Sequence, residues 1–312
     1  MQRSAILLMA YGSPSSLAEV EPYFTHIRGG RRPSPDHLHE ITERYHRIGG
    51  RSPLLDITRR VARSLQADLD RSGNPDRFTV YLGMKHSAPF IADVVLQIVA
   101  DGLDEIIALP LAPHYSRMSV GAYHKAVAEA MGVSNPLIRL RPVYHWGAHP
   151  RFVQLVASRV EDALGGWPDE RTQVIFTAHS LPERLRREGD PYEAELMESA
   201  DLVAGAVGLR RWSFAFQSAS PTGEPWLGPD HQDVIRELAA SGEVDRVLVC
   251  PVGFVADHLE VLYDLDVETR ALAEELGLEF RRTRSLNDDS RFVQVLSEVV
   301  REMAVMPLAG VG

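Results

Sequence analysis

The chain is short of cysteine, of basic charge and of long apolar runs, and each shortage removes a class of function. Cys250 is the single cysteine in 312 residues, which excludes an internal disulfide and a cysteine-ligated iron–sulfur cluster. It sits in the apolar run Val247-Leu-Val-Cys250, where a small buried hydrophobe is expected. Acidic residues outnumber basic ones by 43 to 33, a formal net charge of −10. That balance argues against nucleic-acid binding, because phosphate affinity comes from clustered Lys and Arg. No run of roughly 18 apolar residues occurs, so no membrane span is expected. The apolar stretch Ala5-Ile-Leu-Leu-Met-Ala10 is too short for a signal-peptide core, and no small-residue cleavage site follows it. Dinucleotide fingerprints and P-loops are also missing. A cytoplasmic enzyme with neither nucleic-acid nor membrane partners is the expectation.

What remains is an ordinary globular composition, 45% hydrophobic and 24% charged, with length enough for two lobes. Strand and helix patterns alternate. Ala5–Met9, Phe78–Gly83, Ile106–Leu111 and Ile138–Pro142 read as strands, with helices over Ile57–Asp70, Ile91–Asp101 and Ala122–Met131 between them. The second half repeats the scheme. Its strands are Val174–Thr177, Trp212–Phe216, Arg246–Pro251 and Glu279–Arg282; its helices are Pro191–Val207, Pro229–Ser241 and Glu260–Leu276. Such alternation predicts an α/β fold with parallel sheets covered on both faces. The repeated order suggests two doubly wound, Rossmann-like lobes with a cleft between them. The expected domains are 1–148 and 149–289, with Phe152–Leu164 as a bridging helix. A final helix over 290–305 packs back on the first lobe, and Met306–Gly312 form a loose tail.

Two segments concentrate the chemistry. The run Val174-Ile-Phe-Thr-Ala-His179-Ser-Leu-Pro182 ends a strand in an imidazole, at the strand end where open α/β sheets bind ligands. The segment Gly253-Phe-Val-Ala-Asp257-His258-Leu-Glu260 leads into a helix with Glu260, Asp264 and Glu268 at i, i+4 and i+8. Three carboxylates on one helix face repel, so a divalent cation or protons in transit would compensate them. The plainer readings are a satisfied polar histidine and a solvated helix face, with Asp257 serving only as a helix cap. Imidazole suits either task, as a metal ligand when neutral or as a proton acceptor near neutral pH.

The first half supplies different groups. Tyr11, in Met-Ala-Tyr11-Gly12-Ser-Pro14, leaves the first strand through a turn; a core tyrosine is the alternative. Thr25-His-Ile-Arg28-Gly-Gly-Arg31-Arg32-Pro33 and Arg44-Tyr45, followed by Ile-Gly-Gly50-Arg-Ser52-Pro53, are basic and glycine-rich in an acidic chain. Their guanidinium groups suit carboxylates as well as phosphates. Lys85-His86 and His114-Tyr115 follow later strands, and Tyr123 and Trp226 add aromatic surface. A flat, apolar, carboxylate-bearing ligand that exchanges protons for a metal ion would fit every part.

In order along the chain, Met-Ala-Tyr11-Gly, Thr-His-Ile-Arg28, Arg44-Tyr45 with Ile-Gly-Gly, Gly-Met-Lys85-His86, Ala-Pro-His114-Tyr-Ser, Ala-His179-Ser-Leu-Pro, Pro-Trp226-Leu-Gly-Pro-Asp230 and the Gly253–Asp264 segment resemble the ferrochelatase family. The likeness runs from about Ala5 to Val300 and is greatest to the soluble bacterial members that act on coproporphyrin III. It implies two lobes, each a four-stranded parallel sheet flanked by helices. It implies metal insertion and pyrrole deprotonation at His179, iron binding at Glu260, and an outer metal or proton path at Asp264, Asp266 and Glu268. Tyr11, Arg28, Arg44, Tyr45, Ser52 and Tyr123 match porphyrin-contacting positions, with Lys85, His86 and Trp226 as further candidates. Fe(II) and a porphyrin are then substrates, no cofactor is permanently bound, and a monomer with a transient haem-pathway partner is expected.

One departure is Gly29, where relatives commonly carry a second arginine; Arg31 and Arg32 are the compensating candidates. The transit peptide, cluster cysteines and hydrophobic lip of mitochondrial relatives are not found, and an arginine-rich end without a lip favours coproporphyrin over protoporphyrin IX. Two rivals are a cobalt chelatase acting on sirohydrochlorin, a family that relies on paired histidines, and a porphyrin or haem carrier with Tyr11 as axial ligand. The pairing of Glu260 with His179 speaks against both.

Overall fold

Strand β1 (Ser4–Ala10) is buried at every position, as a strand covered by helices on both faces requires. The computed structural model describes residues 3–71, 77–134, 138–220 and 222–306; most of the expected tail, 307–312, lies outside them. The chain divides into two compact units, residues 1–146 with 287–312, and residues 147–286.

In the first unit β1 pairs in parallel with β2 (Phe78–Met84) and β3 (Glu105–Pro110), and β3 with β4 (Arg139–Pro142). The order is β2-β1-β3-β4. Its first helices are α1 (Val20–Ile27), α2 (Pro35–Arg47), α3 (Leu54–Arg71), α4 (Ile91–Ala100) and α5 (Val120–Ser134). Ile91, Val95 and Ile98 of α4 and Tyr123 and Val127 of α5 pack with Ala5, Leu7 and Met9 of β1 as one apolar cluster. The outer edge of β2 is occupied by Gln66 of α3, which accepts from Val80 N–H at 2.7 Å and donates to Phe78 C=O at 3.0 Å. A paired edge no longer templates another strand.

The second unit repeats the plan. Its strands β5 (Thr172–His179), β6 (Trp212–Gln217), β7 (Arg246–Cys250) and β8 (Glu279–Arg282) are parallel in the order β6-β5-β7-β8. Its helices are α6 (Pro150–Leu164), α7 (Arg184–Arg187), α8 (Tyr192–Val207), α9 (His231–Ser241), α10 (Leu259–Leu262) and α11 (Arg270–Glu275). The last helix, α12 (Ser290–Val305), belongs to the first unit and packs on α3 and β3. The expected fold class, with two four-stranded parallel sheets flanked by helices, holds.

The continuous helix expected over Glu260–Leu276 does not form. Between α10 and α11, Asp264–Thr269 is a π-helical turn, in which Glu268 N–H bonds the Tyr263 carbonyl five residues back. A π-turn is wound more widely than an α-helix, so carboxylates at i, i+4 and i+8 no longer share one face.

Candidate active site

In a parallel sheet of order 2-1-3-4 the order in which strands are added reverses between the first and third strands, and ligands collect outside the carboxyl ends at that point. In the second unit those strands are β5 and β7; His179 is the last residue of β5, and Glu260 sits in α10, after the loop that follows β7. The His179 Nδ1–H donates to the Ser180 carbonyl, and its Nε2 stands 3.4 Å from Glu260 Oε1. After β7 the chain turns back along β5, where Gly253 N–H donates to Thr177 C=O at 3.1 Å. A Cβ at Gly253 would lie 2.5 Å from Ala178 Cβ and 2.9 Å from its Cα, so only glycine lets this loop run against the strand that carries His179. His258 then directs Nδ1 to the Ala256 carbonyl at 2.8 Å and Nε2 to Glu260 Oε2 at 3.5 Å.

Each imidazole therefore has one nitrogen committed to a backbone carbonyl, which fixes the tautomer and leaves Nε2 directed at the carboxylate. Burial opposes charge on His179, but Glu260 outweighs it and the imidazole is pushed up to about 9. Against the same opposition His258 is also raised by Glu260. Glu260 is held far below the usual carboxylate range, the two imidazoles outweighing burial. The side chains of His179 and Glu260 keep 28% and 34% of their surface exposed, so an ion from solvent can reach them.

Neighbouring side chains set the backbone. Gln217, at the end of β6, accepts from the Thr177 hydroxyl at 2.8 Å and donates to the Glu260 carbonyl at 3.0 Å. Ser218 follows with φ of 59°, a conformation that non-glycine residues seldom adopt and that concentrates at functional sites. Its hydroxyl donates to Asp264 Oδ2 at 2.5 Å. The Trp226 ring lies 6.2 Å from that of His179, and Leu227 N–H bonds Leu181 C=O to hold the two loops together.

The expected acidic row is divided. Asp264 is buried and turned to Ser218. Asp266 forms a bidentate pair with Arg282 at 2.7 and 2.8 Å. Glu268 is part-buried further along the π-turn. His258, Gln217 and Ser218 were not among the residues singled out from sequence. A histidine two positions before the glutamate reads as part of a turn, and the other two take their meaning only from the strand end they share.

In the first unit Tyr11 follows β1 and is 43% exposed. Lys85 N–H and His86 N–H bond the carbonyls of Ala10 and Tyr11 at 3.0 and 2.9 Å, which extends the β1–β2 pairing. The His86 ring lies 4.5 Å from that of Tyr11, tilted by 52°, and shares a hydrogen bond of 3.0 Å between its Nδ1 and that of His26. Lys85 Nζ stands 5.8 Å from the rings of Tyr11 and Tyr123. Burial, then Lys85, pushes His86 down to about 4, and burial lowers Lys85. Arg28 is exposed at the end of α1, and Arg44 pairs with Glu40 at 2.8 Å. Gly29 has φ of 64°, which explains glycine where an arginine was expected. Arg31 Nε bonds the Arg28 carbonyl at 3.4 Å, and Arg32 pairs with Glu21 at 3.4 Å. Tyr45, Ser52 and Tyr123 are buried; the Ser52 hydroxyl accepts from Leu54 N–H at 3.3 Å. His114 is buried as well.

Among the described residues no group of three His, Cys, Asp or Glu side chains is arranged to hold a metal ion. None of the helices there is long and apolar enough to cross a membrane.

Residues 3–304 match the family model described as ferrochelatase. The chain belongs to the ferrochelatase family. A ferrochelatase of Herpetosiphon aurantiacus is 48% identical over 96% of this chain and 98% of its own length. A coproporphyrin III ferrochelatase of Halalkalibacterium halodurans is 42% identical over 96% of this chain and 97% of its own. Among solved structures, SirB from Bacillus subtilis with Fe3+ superposes with a TM-score of 0.63 at 14% identity, covering 97% of this chain and 96% of that one. At that identity the likeness is one of fold. The protein is thus a metal chelatase of haem biosynthesis on a chelatase scaffold.

Proposed function

We propose that this ferrochelatase inserts Fe(II) into coproporphyrin III. Four Fe–N bonds form, two pyrrole N–H bonds break, and two protons leave with no change in oxidation state. The observation that carries the metal side of this reading is the convergence of His179 Nε2 and His258 Nε2 on the Glu260 carboxylate. Glu260 stays anionic and meets the cation; arrival of the cation at that carboxylate releases the proton it holds on His179 Nε2 to solvent, and the freed nitrogen then takes a pyrrole proton. Mixed nitrogen and oxygen ligation by few groups suits a metal that is passed on rather than kept. Asp264, buried beside Ser218, and Glu268, further along the π-turn, remain the carboxylates through which protons or incoming metal would pass, as separate groups rather than one continuous row. Asp266 is set apart from that path by its pair with Arg282.

Tyr11, Arg28 and Arg44 are the porphyrin-contacting candidates with side chains at the surface of the first unit, supplemented by Lys85 and His86. A planar macrocycle shields its nitrogen lone pairs, so the ring must be bent, and contacts at its periphery supply the energy. Arginines that can pair with propionates, and relatives named as coproporphyrin III ferrochelatases, support the four-propionate substrate. Anaerobic initial rates of Fe(II) insertion, followed by absorbance, test it directly. Faster turnover of coproporphyrin III than of protoporphyrin IX is expected; the reverse order would overturn the substrate, and no acceleration with either would leave a porphyrin carrier.

A further inference from the structure

Arg282 lies outside the imidazole–carboxylate group, yet it grips both flanks of the segment that carries it. Its side chain is 11% exposed. Nε and Nη2 donate to the two oxygens of Asp266 at 2.8 and 2.7 Å, and Nη2 stands 3.6 Å from Asp257 Oδ1. Nη1 donates to the Thr283 carbonyl at 2.9 Å and to Ser285 Oγ at 3.3 Å. Ser285 in turn donates to Asp257 Oδ1 at 2.6 Å. Asp257 immediately precedes His258, and Asp266 sits inside the π-turn just past Asp264.

One planar cation at the end of β8 therefore closes a clasp around residues 257–266, which include His258, Glu260 and Asp264. The other end of the π-turn is held separately, by the Thr269 hydroxyl donating to the Asp264 carbonyl at 2.6 Å. Building on the metal role proposed for Glu260, we propose that Arg282 is a positioning residue for metal insertion. By clasping Asp257 and Asp266 it fixes the spacing of His258, Glu260 and Asp264, and it withdraws two carboxylates that would otherwise compete for the incoming cation. Only a guanidinium can do both, because its fork meets one carboxylate bidentately and still reaches a second. A lysine ammonium would engage one of them as a point charge.

The test compares the intact protein with R282K, R282Q, D266N and the double variant R282Q/D266N. Three quantities are read: the KM for Fe(II) in anaerobic insertion into coproporphyrin III, the porphyrin Kd by fluorescence titration, and the melting temperature. R282Q is expected to raise the metal KM about tenfold or more with porphyrin Kd unchanged, and R282K to recover only part of the loss. The double variant removes one of the two orphaned carboxylates, so it regains part of the melting temperature without regaining the metal KM. If R282Q does not fold, D266N carries the same expectation for the metal KM. A wild-type metal KM in R282Q, or its recovery in the double variant together with stability, overturns the positioning role and leaves the proposed function standing. No insertion by the unaltered protein would instead overturn the proposed function.

Discussion

His86 and His179 are both imidazoles at the carboxyl edge of a parallel sheet, and burial opposes a proton on each. His86 is pushed down to about 4, whereas His179 is pushed up to about 9. Burial is the leading influence in both, and the neighbours decide the outcome. His86 has Lys85 and His26 beside it, while His179 has Glu260 and, further off, Asp264. The sheets that present them share one strand order, so the scaffold does not distinguish them. A duplicated architecture carries an imidazole held neutral beside a lysine in one unit and an imidazole held charged beside carboxylates in the other, and the difference is made by a handful of side chains.

That contrast can be broken at the residue where it is sharpest. His179→Ala is expected to lower the rate of iron insertion by about 10²–10⁴-fold, the range for losing a positioned acid–base group. Porphyrin binding, measured by fluorescence titration, should persist. His86→Ala should act in the other sense, mainly through the KM for porphyrin. An exchange of these two phenotypes would dissolve the division of labour.

The opposite, amino-terminal edge of the first sheet sharpens the comparison, because its charges serve stability. Glu105 is buried, with Ser4 Oγ donating to it at 2.7 Å and Arg141 Nε at 2.6 Å. Burial opposes its ionisation, yet these bonds hold its carboxyl below the usual range. A depressed folded pKa means that the contribution is complete above the unfolded value and is lost as pH falls through the folded one. Glu105→Gln should cost about 3 kcal/mol at neutral pH, the lower range for breaking a buried pair, with kcat retained. Acidification towards about pH 3 should then cost the variant less stability than the parent. Urea unfolding at the two pH values reads both effects.

Much of this arrangement is legible in the sequence, for reasons that differ from residue to residue. Most of the strands are visible because they are short apolar runs that end at polar or turn residues; β4 (Arg139–Pro142) and β8 (Glu279–Arg282) are charged and are legible only from the repeated alternation. His179 stands out because it ends such an apolar run, and Glu260 because it opens a run of carboxylates at helical spacing. The π-turn is hidden, since Glu260, Asp264 and Glu268 keep the spacing of a regular helix and only the hydrogen bonding at Tyr263 departs from it. His258 is hidden by its closeness to Glu260, because its ring is turned by a bond to Ala256 that no pattern encodes. Helices α1 and α2 were masked by the basic, glycine-rich stretches they border. Yet Ser34, which accepts from His37 N–H, and Pro35 at the first turn are the capping pair of a helix start. The burial of Tyr45, Ser52 and Tyr123 was equally out of reach, because the same residue types line ligand sites and cores.

In the proposed reaction the carboxylate of Glu260, bracketed by two imidazoles, handles the metal and not the porphyrin. Glu260→Gln keeps the shape and removes the charge, so the most direct measurement is its rate of anaerobic Fe(II) insertion beside its porphyrin affinity. A collapse of the rate, by about 10²-fold or more, is expected with porphyrin affinity intact. Insertion at the full rate with intact porphyrin binding would contradict that role.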